Sequence, residues 1–323
     1  MEAIKKKIFD MGYIPVTSFA GSKDAAICAQ AMHHGEVTVM EVNSVEAVRS
    51  VVKTVPEMTV GMSVSTPAQC QQALEAGAGF LLCDKWNEDM IRACREKEAL
   101  LIPDCSTLAE VTRAQKAGLL LMHYAPAVGV DDLRHLARVF TSYPDARFIL
   151  TVGDDFAEID RCASAPFVFA LRGRWLQSTD AAAAPDYADQ ITELCQNIFT
   201  HVLGFEMFHL GINMENTAAA CQLADDLHSA FRMKPRDNGP SSRFVGTEFE
   251  IMKRMYRGKN GHFAIGTNNV DRAMAYVTSK GYEMDMDTAY VSDGRILTVY
   301  MKEEYNFGGF AAHFTQKNSP WPR

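Results

Sequence analysis

The sequence predicts an α/β (β/α)8 barrel followed by an α+β domain of paired βαβββ modules. Three observations carry that prediction. Between Ile14 and Leu171, short apolar runs alternate eight times with helix-spaced segments, and eight strand-then-helix units imply a parallel sheet that closes into a barrel. A stretch of small and polar residues from Ser178 to Pro185, and later Gly204, break that rhythm. Beyond the break, Phe208-His209-Leu210-Gly211-Ile212 and Gly261-His262-Phe263-Ala264-Ile265-Gly266 open two similar stretches, an internal repeat with a period of about fifty residues. The boundary falls near residue 203, giving domains 1–203 and 204–323.

Taken in order, Ile14 to Phe19 reads as a strand, Lys23 to His34 as a helix and Val37 to Val42 as the next strand. Val45 to Thr54 is helical, Thr59 to Val64 a strand and Pro67 to Ala76 helical. Phe80 to Cys83, Leu100 to Pro103, Leu119 to Tyr124, Arg147 to Thr151 and Phe167 to Leu171 complete the eight strands. Tyr187 to Thr200 reads as a closing helix. The second domain follows as strand Met207 to Met214, helix Thr217 to Phe231 and strand-rich sequence to Met255. It repeats as strand His262 to Gly266, helix Val270 to Lys280, and strands Tyr282 to Asp287, Arg295 to Lys302 and Gly309 to Gln316.

The 323 residues suffice for two domains, and 47% hydrophobic with 22% charged residues is the profile of an ordinary globular protein. A net charge of -8 argues against a nucleic-acid partner and against an anionic membrane surface. No apolar run approaches the length of a membrane span, and Met1-Glu2-Ala3-Ile4-Lys5-Lys6-Lys7 lacks the apolar stretch of an export signal. None of the eight cysteines forms a Cys-x-x-Cys pair, which fits reduced thiols in a cytoplasmic protein.

Several strand ends carry a recognisable signature. Gly35 to Val42 ends in Glu41-Val42, Leu101-Ile102-Pro103-Asp104-Cys105-Ser106-Thr107 approaches an Ile-Pro-Gly-x-x-Thr pattern with Asp104 gained in its loop, and Gly173 and Trp175 mark the eighth strand. Over residues 8–200 the chain resembles the class I aldolases that cleave 2-keto-3-deoxy-6-phosphogluconate and 4-hydroxy-2-oxoglutarate. The resemblance implies a small 2-keto acid or sugar acid as substrate, no nucleotide cofactor and a homo-oligomer, commonly a trimer. It makes Glu41 the proton-transfer residue, and a buried carboxylate at a strand end suits that work. The alternative for Glu41 is a pair with an arginine inside the mouth. Ser63, Asp104, Thr107, Thr151, Arg172 and Arg174 fall where substrate is bound. An ion pair between Asp154 or Asp155 and these arginines is the other reading of the last two loops.

The sequence departs from the family at its most important position. The sixth strand of the family reads Lys-Phe-Phe-Pro-Ala, and its lysine forms a Schiff base with the keto group. Here the stretch is His123-Tyr124-Ala125-Pro126-Ala127, and an imidazole cannot form that imine. Lys85, after Cys83-Asp84 at the end of the fourth strand, is the candidate replacement, provided the mouth desolvates its amine. Its alternative is a solvated loop lysine. His123 is then a general base, a metal ligand with Glu41 and Asp104, or a non-catalytic residue.

The second domain resembles the vicinal oxygen chelate superfamily, which includes glyoxalase I and the extradiol dioxygenases. In that superfamily metal ligands come from the start of each module and from a later strand. The corresponding residues are His209, Glu250, His262 and His313, with Glu248 an alternative to Glu250. Three histidines and a carboxylate suit Zn, Fe, Mn or Ni. Three functions follow: a lyase of keto acids with altered catalytic residues, metal-dependent glyoxalase- or dioxygenase-type chemistry in the second domain, or metabolite binding without turnover.

Overall fold

The computed structural model describes residues 1–19, 21–124, 130–153, 155–173 and 185–317. The chain divides into two compact units, Met1–Val202 and Leu203–Asn318.

The first unit opens with helix α1 (Glu2–Met11), which the lysine run conceals in the sequence. Ile8 and Met11 are buried, and Gly12 ends the helix in the left-handed region at φ 69°. The parallel strands are β1 (Tyr13–Pro15), β2 (Val39–Val42), β3 (Thr59–Val64), β4 (Phe80–Cys83), β5 (Leu100–Cys105), β6 (Leu121–Tyr124), β7 (Arg147–Thr151) and β8 (Val168–Gly173). They run β1-β8-β7-β6-β5-β4-β3-β2. The two ends of this sheet meet in a bridge between Val16 and Glu41. There the Thr17 N–H and hydroxyl both donate to the Glu41 carbonyl, each at 2.9 Å. The barrel interior is apolar below the mouth, with Ile14, Phe80, Leu82, Ile102, Ile149 and Ala170 fully buried. Gly61 is required by that packing, because a Cβ there would stand 2.1 Å from the Phe80 ring.

Helices α2 (Ser22–His34), α3 (Val45–Thr54), α4 (Pro67–Glu75), α5 (Glu88–Glu96), α6 (Leu108–Lys116), α7 (Val130–Ser142), α8 (Phe156–Ala163) and α9 (Tyr187–Leu203) follow the strands. Ser44, Thr66, Asn87, Thr107 and Asp155 each accept a backbone N–H at the start of the next helix. These caps fix the βα loops at one end of the barrel. Thr107, placed by the family pattern among the substrate-binding residues, is the N-cap of α6 in a reciprocal capping box with Glu110. Thr107→Ala is therefore expected to lower stability by about 1 kcal/mol, measured by urea unfolding, while leaving ligand affinity unchanged.

Two strands run further than their apolar patterns indicate. β5 continues through Pro103 to Cys105, and β8 continues to Gly173. Asp104 and Arg172, expected on loops, thus stand on strands.

The second unit forms one mixed sheet. Its elements are β9 (Glu206–Asn213), α10 (Thr217–Phe231), β10 (Pro235–Asn238), β11 (Ser242–Val245), β12 (Phe249–Met252), β13 (Gly261–Thr267), α11 (Val270–Ser279), β14 (Met284–Ser292), β15 (Arg295–Met301) and β16 (Phe310–Gln316). The sheet order is β10-β11-β12-β9-β13-β16-β15-β14, with β9 and β13 antiparallel at its centre. Ile212, Val245, Phe249 and Ile251 pack with Ala220 and Ala224 of α10. Ile265, Val299 and Phe314 pack with Val270 and Ala273 of α11. Strand side chains alternate in direction. Helix-facing Ile212, Ile251 and Phe314 therefore leave His209, Glu250 and His313 on the opposite face. β14 extends to Ser292, five residues past its expected end, as the partner of β15. Among the described residues, no helix is long and apolar enough to cross a membrane.

Candidate functional site

Six polar side chains gather at the C-terminal ends of the barrel strands, where this architecture places chemistry. They are Glu41 on β2, Ser63 on β3, Asp104 on β5, His123 on β6, Thr151 on β7 and Arg172 on β8. They form two hydrogen-bonded groups.

In the first group, Glu41 is 3% exposed. Arg172 grips it bidentately, with Nε 2.7 Å from Oε2 and Nη2 2.8 Å from Oε1. The Ser63 hydroxyl donates to Oε1 at 2.8 Å. Burial alone would lower the Arg172 pKa, but the hydrogen bonds and charge of Glu41, with the charge of Asp104, outweigh it and raise the pKa. Ser63, rather than Ser65, supplies the hydroxyl; Ser65 turns to Asp84 at 2.9 Å.

In the second group, His123 is 3% exposed and held at both nitrogens. Nδ1 lies 2.8 Å from Asp104 Oδ1, and Nε2 lies 2.7 Å from Thr151 Oγ1. Asp104 and His123 are directly paired in the β5–β6 register, as are Thr151 and Arg172 between β7 and β8. An ionised carboxylate only accepts, so Nδ1 donates to Asp104, and in the neutral imidazole Nε2 is then the acceptor for the threonine hydroxyl.

The remaining barrel candidates stand apart. The Lys85 side chain is exposed, so the desolvation that would activate its amine is missing. None of the eight barrel strands carries a lysine. Asp155 caps α8 instead of pairing with Arg172. Arg174 and Asp154 lie outside the described residues. Glu41, Asp104 and His123 do not converge as metal ligands; among the described residues the candidate metal-binding group is elsewhere. A cavity of about 460 Å³ lined by Met1, Lys5, Cys94, Arg95 and Leu121 lies at the opposite, N-terminal end of the strands, remote from these groups.

That metal-ligand group lies on the helix-free face of the second unit. His209, His262 and His313 are buried, with ligand atoms all within 4.8 Å of one another. His209 Nε2 and His262 Nε2 are 3.2 Å apart, and they lie 3.3 and 3.2 Å from Glu250 Oε2. These spacings match the edge, roughly 3.3 Å, of a tetrahedron with metal–nitrogen bonds of about 2.0–2.1 Å. His313 Nδ1 lies 3.2 Å from the Phe314 carbonyl, which orients the ring as a backbone acceptor orients a metal-binding histidine. Burial, with His262 and His209 nearby, pushes the His313 pKa down to about 3, which keeps the imidazole in its neutral, ligating form. Burial would raise the Glu250 pKa, but hydrogen bonds from His209, His262 and Ser242 hold the carboxyl well below the usual range. The donor set fits a divalent cation.

Gly211 makes room for the cluster, since a Cβ there would stand 2.0 Å from the His262 ring. Glu248, weighed as a ligand, lies in a turn and binds the Thr247 N–H and hydroxyl. Sequence reasoning missed Ser242, whose hydroxyl donates to Glu250 at 2.6 Å. It also missed the aromatic wall of Tyr300 and Phe244, whose ring centres lie 4.5 Å from His313 and 5.5 Å from His209. A polar or aromatic residue on a half-buried strand carries no local sign of such a role.

The first unit, with its polar groups at the carboxyl ends of eight parallel strands, defines a (β/α)8-barrel protein of the aldolase type. Residues 4–194 match the family model of KDPG and KHG aldolases, and the chain belongs to that family. It is 31% identical over 189 residues to the KHG/KDPG aldolase of Escherichia coli K12, covering 57% of this chain and 88% of that protein. It is 27% identical to the 2-dehydro-3-deoxy-phosphogluconate aldolase of Treponema pallidum, covering 57% of this chain and 90% of that protein. Among solved structures, the 4-hydroxy-2-oxoglutarate aldolase/2-deydro-3-deoxyphosphogluconate aldolase from TTHB1 aligns with a TM-score of 0.55 at 22% identity, covering 62% of this chain and 98% of that one. The KDPG aldolase of Legionella pneumophila, captured with pyruvate as a covalent carbinolamine, gives 0.55 at 24% identity, covering 60% and 97%. At those identities the structures speak for the fold alone.

Proposed function

We propose that the barrel is a lyase-type enzyme of small 2-keto acids or sugar acids in which Glu41 and His123 move the protons and no strand-six imine forms. The observation that supports this reading is His123 itself, buried on β6 and held between Asp104 and Thr151. Ser63 and Arg172 hold the Glu41 carboxylate. A substrate carboxylate entering the Arg172 fork exchanges with Glu41 and frees it as a base. The base then takes the proton of the hydroxyl β to the keto group. The carbon–carbon bond breaks, the hydroxyl carbon leaves as an aldehyde, the bond's electrons pass into the keto group, and the proton taken by Glu41 is returned to the enolate carbon by way of His123. Arg172 supplies positive charge for the enolate oxygen.

Proton exchange tests this reading without requiring the natural substrate. In D2O the methyl protons of pyruvate are expected to exchange at a rate set by the enzyme, followed by proton NMR. Glu41→Gln and His123→Ala are each expected to slow exchange roughly 10²–10⁴-fold. Exchange that survives both changes removes the reading. Borohydride added with pyruvate is expected to leave no adduct on Lys85; an adduct there reinstates the imine.

A second reading is favoured by the histidine cluster. In it His209, Glu250, His262 and His313 hold a divalent Zn, Fe, Mn or Ni ion, as in the vicinal oxygen chelate proteins. A bound ion of this kind supplies Lewis acidity to a carbonyl or to vicinal oxygens. The protein's part is to present the three imidazoles and Glu250 and to wall the site with Tyr300 and Phe244.

A further inference from the structure

We propose that Thr151 is a nucleophile, and that Asp104, His123 and Thr151 form an acyl-transfer site for short-chain esters or thioesters. The order is carboxylate, imidazole, hydroxyl, with contacts of 2.8 and 2.7 Å. That order turns a weakly nucleophilic hydroxyl into a reactive one on unrelated folds. Asp104 fixes the tautomer, and Nε2 takes the hydroxyl proton. All three residues stand at the ends of adjacent strands β5, β6 and β7, so the backbone ladder rather than a loop sets their spacing. Exposure separates their roles. His123 is buried and engaged at both nitrogens, whereas Thr151 is half-buried at the last position of β7. An incoming substrate therefore meets the hydroxyl before the imidazole. Arg172, in register with Thr151 on the neighbouring strand and paired with Glu41, is the cation at this strand end toward which an oxyanion can develop.

Thr151 Oγ1 forms a bond to the acyl carbon as its proton passes to His123 Nε2. The bond from that carbon to the leaving oxygen or sulfur breaks, and the leaving group takes the proton from His123. Water then attacks the acyl-threonine, its proton passing to His123. The carbon–Oγ1 bond breaks, the acid leaves, and the hydroxyl regains its proton. This activity goes beyond the keto-acid reading and needs no enolate.

The probe is 4-nitrophenyl acetate, with the acid-quenched full-length protein digested and its acetylated peptide located by mass spectrometry. The expected result is a nitrophenol burst and an acetyl group on Thr151. Thr151→Ser is expected to keep both and Thr151→Val to lose both. Asp104→Asn is expected to slow acylation roughly a hundredfold or more. The Ser variant separates loss of the nucleophile from loss of the fold. Absence of acetyl at Thr151 in the unaltered protein overturns the proposal, as do acetyl found solely on lysine, cysteine or His123 and an unchanged burst in Thr151→Val. Pyruvate exchange on the same preparation reports separately: acetylated Thr151 with inert pyruvate sinks the keto-acid reading alone.

Discussion

Arg172→Met is expected to destabilise the barrel by about 3–5 kcal/mol, because it leaves the buried Glu41 carboxylate without its cation. The fork between the two is bidentate, and both side chains are nearly enclosed, at 12% and 4% exposed. Ser63 alone then has to solvate the charge. The double change Glu41→Leu with Arg172→Met removes the stranded charge along with its partner. It is expected to recover most of the loss, since replacing a whole buried pair by apolar groups is often neutral. Urea unfolding of the two single variants and the double variant measures the coupling. Losses that simply add would show that Glu41 and Arg172 act independently. The same set separates stability from chemistry: the double variant is expected to fold and yet to exchange no pyruvate protons.

The second large effect is expected in the other unit. His209→Ala and His262→Ala should each reduce bound divalent metal from about one per chain to near zero, measured by elemental analysis after dialysis against a metal buffer. Each imidazole nitrogen lies within 3.3 Å of Glu250 Oε2, so removing one opens the whole set. A ligand that binds only the folded state raises stability by about 2.7 kcal/mol at a hundred times its dissociation constant. Zn²⁺ is thus expected to raise the thermal midpoint of the unaltered protein and to have no effect on either variant. Metal content unchanged by both substitutions excludes the cluster as the binding site. Gly211→Ala adds a steric check, as the new methyl group displaces the His262 ring without removing a ligand.

Much of the barrel was legible because its signals are local. β3, β4, β7 and α3 have the bounds that their apolar runs and helical spacing indicate, and the family match follows from strand ends written in contiguous residues. Across the barrel the local signals run out. Glu41 and Arg172 are 131 residues apart, and nothing near either one distinguishes a free acid–base group from half of an ion pair. Asp104 looked like a loop insertion because a charged residue after Pro103 ends an apolar pattern; its strand position depends on the partner His123 supplied by the next strand. Thr107 shows the reverse case: Thr107-x-x-Glu110 is a capping box written in contiguous residues, so its local partner was legible. In the second unit, the paired positions of His209 and His262 in the repeat identified the cluster residues. The Ser242 support depends on strand register and left no trace.

The backbone carbonyl of Glu41 receives both donors of Thr17, while its carboxylate faces the mouth. The stave that shuts the barrel and the carboxylate proposed to meet the substrate belong to one residue. Occupancy of the mouth should therefore be felt as tightness along the seam, and the Thr17 amide, a silent bystander to any reaction, becomes its reporter: its hydrogen should trade with solvent more slowly whenever a keto acid is bound.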